Sequence, residues 1–557
     1  MKIKGAQIVV ETLIEQNVKT VFGYPGGTVI DIYDQLYKKS DRIHHVLAAH
    51  EQGAAHAADG YARATGEVGV VLATSGPGAT NLVTGIATAY LDSVPMLAIT
   101  GNVAKSLIGR DSFQEIDITG ITLPITKHNF IVHNVEDLAD TIREAMRIAK
   151  TGRPGPVLVD IPKDVQGAYC EFENSSPVTS SEAPKAKDED VAKAAEMIAE
   201  AGRPYIYFGG GAVRAGAGEL ITRLADKIDA VIGCSMMGLS EIPSSSPRFL
   251  GMQGMHGHYA SSKAMAKADL IIGVGVRFSD RATGNTSKFS AGARKIHIDI
   301  DSAELGKNVD INLGASCDIC DFLRKLIDKV DEKKNPAWMT KIGKLLSQEN
   351  EQETEDFLPK LAVEAVAEIA DPDTEIATDV GQHQMWVAQY YGFSDKRTWI
   401  SSGGLGTMGF GMGAAIGASY GSGKKTVLFT GDGSFGMNLN ELATAVTNNV
   451  PLIIVLFNNG VLGMVRQWQT LFYDKTYSNT TLERKTDFVK LAEAFGAKGY
   501  RAENIDEFKN VFAKAYKELE GPVLIDLTID KDAMVLPMLR PGGTFDKLIL
   551  QGGDDRE

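Results

Sequence analysis

The sequence predicts an α/β protein of three doubly wound parallel-sheet domains, and three observations carry that prediction. Short β-rich apolar runs alternate with stretches of helical period over most of the 557 residues. Two polar segments, Glu173–Asp190 and Asp331–Asp356, cut the alternation into blocks of 1–170, 190–330 and 360–557. The first and last blocks then repeat one pattern. VVLATSGPGATNLVTGIATAYLDSVPMLAITG and TVLFTGDGSFGMNLNELATAVTNNVPLIIVLFNNG both run strand, glycine turn, helix, Val-Pro, strand, and GPVLVDIP is echoed by GPVLIDLT.

Taken in order, the first block opens with the amphipathic helix pattern MKIKGAQIVVETLIEQ. Its strand candidates end at turn residues in VKTVFGYPG, VGVVLATSGPG, VPMLAITG and GPVLVDIP. ENSSPVTSSEAPKAKDED, rich in Ser, Pro and charge, reads as a linker. The second block offers RPYIYFGGG, ADLIIGVGVRF and RKIHIDID. After DEKKNP and SQENEQETED, the third offers TEIATDVG, KTVLFTGDG, VPLIIVLFNN and GPVLIDLTID. A prior of about 150 residues per domain agrees with three or four units.

A formal net charge of −14 argues against nucleic acid or an anionic membrane as partner, since both need a basic footprint. An anionic substrate must therefore meet local positive charge. No apolar run approaches the roughly 18 residues that span a bilayer, and the N-terminus has neither a signal h-region nor transit-peptide character, so a cytoplasmic chain is expected. Four cysteines do not make a disulfide framework. Cys317 and Cys320 form a C-x-x-C without a second pair or a nearby His, which speaks against zinc.

Gly431–Asn459 is the most informative stretch. In a parallel strand–helix–strand unit both strand ends lie on one sheet edge, so Asp432 of GDGS can meet Asn459 of the NN pair. One carboxylate and one amide oxygen suit Mg²⁺, and the glycine turn lets backbone N–H groups approach an anion. Where the last block has this acid and amide, the first has Glu51 in AHEQGAAHAADGYAR, an apolar setting in which a carboxyl can keep and donate a proton. His50 and His56 beside it read as structural. In FGYPGG, Gly26 and Gly27 allow close backbone approach to a ligand. Each motif alone has a plainer meaning: a tight turn for GDG, a helix-surface carboxylate for Glu51, core filling for Met408 and Trp468.

Together, GDGS and NN resemble the thiamine diphosphate signature of the thiamine-dependent 2-oxo acid enzymes. That resemblance implies Asp432, Asn459 and the backbone of Val461 on the metal, with Gly433 and Ser434 at the diphosphate. AHEQGAAHAADGYAR is similar to the motif whose Glu, here Glu51, hydrogen-bonds the cofactor aminopyrimidine. DVGQHQMW and GGLGTMG likewise imply Gln382 and His383 at the diphosphate and Gly406 and Met408 at the bend of the cofactor. TSGPGATN, Thr74–Asn81, is a further cofactor-proximal candidate.

FGYPGG, RDSFQEIDITGITLPITKHNF, GRPGPVLVDIPKDV, VGVRFSDRATGN, SGGLGTMGFG, GMVRQWQ and VLPMLRPGGTFDKLI cover essentially the whole chain. In that order they resemble the large catalytic subunits of the acetohydroxyacid (acetolactate) synthase family. The resemblance implies decarboxylation of pyruvate on thiamine diphosphate and transfer of the hydroxyethyl unit to a second pyruvate or to 2-oxobutyrate. This is the first shared step toward branched-chain amino acids. It implies Gly27 over the thiazolium ring, Phe113 and Gln114 near the reacting carbon, and Lys163 at the substrate channel. Met464, Arg466 and Trp468 would shape the acceptor pocket, and Arg281 would hold the second substrate's carboxylate.

The middle block resembles the family's FAD domain, which implies a structural flavin without redox work. Arg153, Gly209, Gly210, Gly211, His256, Arg277, Asp299 and Asp318 are the matching contacts. A homodimer or tetramer with the site between chains, and a small regulatory subunit, are implied as partners. Ser279 stands where many members have Asp, and Met412-Gly413 where many have Leu-Pro; neither is a proposed ligand. Two alternatives stay open on these residues: a flavin-free catabolic acetolactate synthase or pyruvate oxidase, and a non-catalytic protein on the same fold.

Overall fold

The computed structural model describes residues 1–351, 356–394, 396–551 and 553–554. Three six-stranded parallel sheets dominate them, each covered by helices on both faces, which is why the strands read as continuous apolar runs. The first sheet is ordered His44–Leu47, Thr20–Tyr24, Gly69–Ala73, Met96–Asn102, Pro156–Pro162, His128–Ile131. The third is ordered Trp399–Ile400, Glu375–Thr378, Thr426–Gly431, Leu452–Asn458, Val523–Thr528, Lys498–Ala502. Numbered by position in the chain, both follow the order 2-1-3-4-6-5, so the repeat seen in the sequence is a repeat of topology.

The middle sheet differs. Phe249–Met252, Val231–Cys234, Pro204–Phe208, Leu270–Val274, Arg294–Asp299 and Leu313–Ser316 run in the order 3-2-1-4-5-6, that of dinucleotide-binding folds. Helix Pro336–Asn350 packs on this sheet through Trp338, whose ring N–H donates to the Pro204 carbonyl at 3.2 Å. The C-terminal strands Met538–Leu539, Leu548–Leu550 and Gly553–Asp554 form a small antiparallel sheet, and Met538, Leu539, Leu548 and Ile549 join the same apolar cluster.

Helices Glu51–Thr65 and Phe410–Ser422 lock the first and third sheets of one chain together. Their sequences, rich in Ala and Gly, let the backbones touch: a Cβ on Gly60 would collide with the Ala414 carbonyl oxygen, and one on Gly417 with that of Ala57. Gly413, at the Met-Gly departure, faces the Gly53 carbonyl in the same way. Nearby, the Glu441 carboxylate accepts the backbone N–H groups of Ala49 and His50 at 3.2 and 3.0 Å, fixing the start of the helix that carries Glu51. His50 caps that helix by accepting from Gln52 N, and His56 is buried within it.

Candidate active site

Strand Thr426–Gly431 ends and helix Asp432–Asn438 begins at the topological switch of the third sheet, so Asp432 sits where an open α/β sheet binds ligands. Asn459 follows the end of the neighbouring strand, Leu452–Asn458. The two strands pair in register up to Gly431 and Phe457, so the expected meeting of Asp432 and Asn459 on one edge is realised. They line a small cavity of about 70 Å³ together with Gln382, His383, Met408, Gly433, Ser434, Val461 and Met464.

Burial pushes the Asp432 carboxyl up to about 6, against backbone N–H groups of Gly433 and Gly460 that favour the anion. Burial likewise holds the His383 imidazole down at about 3, while the Asp379 main chain hydrogen-bonds the ring. Nε2 of His383 and Oε1 of Gln382 are buried and have no protein partner, although Gln382 Nε2 donates to Gln467 Oε1 and the Ala533 carbonyl. Buried polar atoms without a protein partner at a cavity wall suit a polar ligand. The available donors for a cation are one carboxylate, the Asn459 amide oxygen, which accepts from Val461 N at 3.1 Å, and the Val461 carbonyl. This oxygen set fits Mg²⁺ shared with a diphosphate.

Asp379, which sequence reasoning passed over inside DVGQHQMW, holds the cavity together. Its buried carboxylate accepts from Gly409 N at 2.7 Å and Thr430 Oγ1 at 3.2 Å, joining three segments behind Met408 and Asp432. Gly409 takes φ +87°, a conformation glycine enters without strain, where the chain turns from Met408 into helix Phe410–Ser422.

A cavity of about 1700 Å³ adjoins the small one and shares Val380, Met464 and Val465 with it. Gly406, Arg281 and Trp468 line the larger cavity; the Arg281 guanidinium lies 5.8 Å from the centre of the Trp468 ring, a cation–π contact. Arg466, by contrast, turns to Asp532 at 2.7 Å and lines neither cavity. Arg153, Gly209, Gly210, Gly211, His256, Arg277, Asp299 and Asp318 line the larger cavity as well. Gly209 and Gly211 sit at the switch of the 3-2-1-4-5-6 sheet, where Gly275 O would be 2.8 Å from a Cβ on Gly209, and Gly275 Cα 2.7 Å from one on Gly211. His256 Nδ1, Gln253 Oε1 and Tyr207 Oη are buried in its wall without partners. Size, glycine turn, arginines and unsatisfied wall atoms fit a dinucleotide.

The first-domain candidates gather elsewhere. Lys163 Nζ lies 2.7 Å from Asp31 Oδ2 and 3.3 Å from the Gly27 carbonyl. A Cβ on Gly76 would stand 2.9 Å from Gln114 Cα, and one on Gly78 would stand 3.3 Å from Glu51 Oε1, so TSGPG packs between these two residues. Asn81 Nδ2 donates to Glu51 Oε2 at 2.9 Å. Phe113 is 86% exposed. Gly27, Glu51, Phe113, Gln114 and Lys163 line neither cavity. Within one chain the candidates thus fall into two separate groups, which line no common cavity.

Cys317 is buried, its thiol pushed up to about 12, and Cys320 Sγ donates to the Ala215 carbonyl; the two flank Asp318 but line neither cavity themselves. No described helix is long and apolar enough to cross a membrane.

Comparison with known proteins agrees in all three blocks. Residues 3–121, 191–326 and 379–527 match the N-terminal TPP binding, central and C-terminal TPP binding domains of thiamine pyrophosphate enzymes. The acetolactate synthase large subunit of Haemophilus influenzae is 41% identical over 99% of this chain and 98% of its own length. That of Corynebacterium glutamicum is 44% identical over 98% and 89%. Acetolactate synthase isozyme 3 large subunit of Escherichia coli is 41% identical over 98% of both.

Proposed function

Because the chain belongs to the acetolactate synthase large-subunit family of thiamine pyrophosphate enzymes, we propose that the two adjoining cavities are its cofactor and acceptor sites. The enzyme decarboxylates pyruvate and joins the two-carbon unit to a second pyruvate, giving 2-acetolactate, or to 2-oxobutyrate, giving 2-aceto-2-hydroxybutyrate. Thiamine diphosphate, when bound, supplies the electron sink for this chemistry. The observation that carries the site assignment is the small cavity itself: Asp432, Asn459 and His383 with its partnerless Nε2 line it, and it shares Met464 with the space beside Arg281 and Trp468.

The residues divide the work. Asp432, Asn459 and the Val461 carbonyl hold Mg²⁺; Gln382, His383, Gly433 and Ser434 face the diphosphate. Met408 and Gly406 would support the cofactor, and Arg281 would pair with the acceptor carboxylate while Trp468 and Met464 wall its alkyl end. Glu51 exchanges a proton through Oε1, the oxygen that Asn81 leaves free. Since Glu51 lies outside the cavity of its own chain, it serves the cavity of a second copy, with Gly27, Phe113, Gln114 and Lys163 beside it. A homodimer is then the smallest complete enzyme. FAD occupies the larger cavity as a structural group. A small regulatory subunit and a cytoplasmic setting complete the reading.

The test is product analysis with pyruvate and 2-oxobutyrate in competition, with and without added FAD, on the wild type and on Glu51→Gln. The reading expects both products from the wild type and a loss of on the order of 100-fold in the variant. Near-normal acetolactate formation by Glu51→Gln would sink the mechanism, and full activity of a colourless, flavin-free protein would sink the flavin assignment.

A further inference from the structure

We propose that Asp92 is a positioning residue that seats the Gly403–Thr407 turn, which leads into Met408 at the thiamine cavity, and ties that turn to the arginines of the flavin cavity. The coupling rests on the flavin reading above; the seating of the turn does not.

The turn depends on this carboxylate. Asp92 Oδ1 accepts from Gly404 N at 2.7 Å and Oδ2 from Gly403 N at 3.0 Å. The Asp92 side chain is fully buried and is held from behind by Arg63 Nη2 at 3.0 Å, whose Nε is in turn on Asp59 Oδ1 at 2.5 Å. A Cβ on Gly404 would stand 2.8 Å from Asp92 Oδ1 and 2.9 Å from the Leu91 carbonyl oxygen, so the backbone sits directly on this segment. Thr88 Oγ1, one helical turn earlier, bonds Thr407 Oγ1 at 2.8 Å and fixes the far end. Between these anchors lies Gly406 at φ +66°, and Met408 follows.

The same segment is also where the flavin cavity's cations rest. Arg277 donates to the Leu91 carbonyl at 2.5 Å, Arg214 to the Asp92 carbonyl at 3.2 Å, and Arg153 Nε to Ser93 Oγ at 2.8 Å. All three arginines line the larger cavity, as do Asp92 and Ser93. An anionic dinucleotide that draws on these guanidinium groups changes their bonds to Leu91, Asp92 and Ser93, three consecutive residues. A ligand that shifts one side of the joint shifts the other, and the effect is reciprocal.

The experiment uses the full chain and two variants, Asp92→Asn and Ser93→Ala. Three quantities are measured: FAD binding by absorbance, thiamine diphosphate binding in the presence of Mg²⁺ with and without FAD, and hydrogen exchange of the 403–407 amides in the cofactor-free chain. In the wild type FAD tightens thiamine diphosphate binding about fivefold, a coupling of ordinary size. In Asp92→Asn the Gly403 and Gly404 amides exchange faster and thiamine diphosphate binds about tenfold more weakly, because one N–H now faces an amide donor. FAD affinity changes little there, and the FAD effect vanishes. Ser93→Ala keeps the carboxylate and the two main-chain bonds to Arg277 and Arg214, so it retains slow exchange and a reduced FAD effect, and it decides the coupling even if Asp92→Asn fails to fold. Wild-type exchange and affinity in a folded Asp92→Asn, or an equal FAD effect in all three proteins, overturns the proposal. A wild type that binds no FAD overturns the flavin reading and the coupling together, and the 403–407 exchange still decides the seating.

Discussion

Asn81 Nδ2 donates to Glu51 Oε2 at 2.9 Å, across 30 residues of sequence, and a Cβ on Gly78 would stand 3.3 Å from the other carboxylate oxygen. One oxygen of the carboxyl is thereby fixed and the other is left facing the glycine turn. Replacing Asn81 by Leu removes the donor while keeping the volume. The expected outcome is a fall in kcat of about tenfold to 100-fold with little change in the melting temperature, since a misplaced proton-transfer group costs rate before it costs stability. Steady-state kinetics beside calorimetry checks it; an unchanged kcat would show that the bond does not orient Glu51.

Asp432 gives a pH dependence with a definite sign. Its carboxyl is held up to about 6 by burial, and only the anion binds a cation. Below about 6 the metal competes with a proton, so apparent Mg²⁺ affinity should fall about tenfold per pH unit as the solution is acidified, and level off above about 7. Asp432→Asn should weaken metal binding on the order of 100-fold and abolish that slope. Titration calorimetry from pH 5 to 8 reads both; an affinity flat across that range contradicts the assignment.

Two Gly→Ala changes, one in the helix pair of Glu51–Thr65 and Phe410–Ser422 and one in helix Pro336–Asn350, should have opposite results. At Gly417 the new Cβ meets the Ala57 carbonyl oxygen, and the chain should lose about 1–3 kcal/mol or more as the helices are forced apart. At Gly343, exposed inside helix Pro336–Asn350 with nothing within 4 Å of the added carbon, Ala should stabilise by about 0.5–1 kcal/mol. Denaturant unfolding of the two variants compares them directly.

Trp468 packs edge to face on Phe472 at 5.5 Å and carries Arg281 over its ring. Trp468→Leu should lower the preference for 2-oxobutyrate over pyruvate by about tenfold or more, the worth of one methylene against an apolar wall. Product ratios in competition measure it, and an unchanged ratio would place the acceptor elsewhere.

Much of this was readable in the sequence because it follows from local rules. Alternating strands and helices with short connections leave few topologies, and a parallel crossover must bring Asp432 and Asn459 to one edge. What escaped was polar and distant. Asp379, Asn81, Glu441 and Asp92 lie inside motifs that the sequence does display, but each acts through a partner that periodicity cannot supply. Asp92 and Gly403 are separated by 311 residues. The tail VLPMLRPGGTFDKLI reads as the end of the third block. It folds onto the middle one, because Met538, Leu539, Leu548 and Ile549 complete the apolar cluster around Tyr205 and Trp338.

The back-to-back helices, with Glu51 on one side of the pair and Asp432 on the other, have a genetic consequence. If each chain lends its acid to its neighbour's cavity, Glu51→Gln and Asp432→Asn damage different halves of a site. Two inactive proteins, unfolded and refolded together, would then form mixed dimers in which one site carries both lesions and the other carries neither. Random pairing should restore about a quarter of the wild-type sites, whereas a site completed within one chain would recover none.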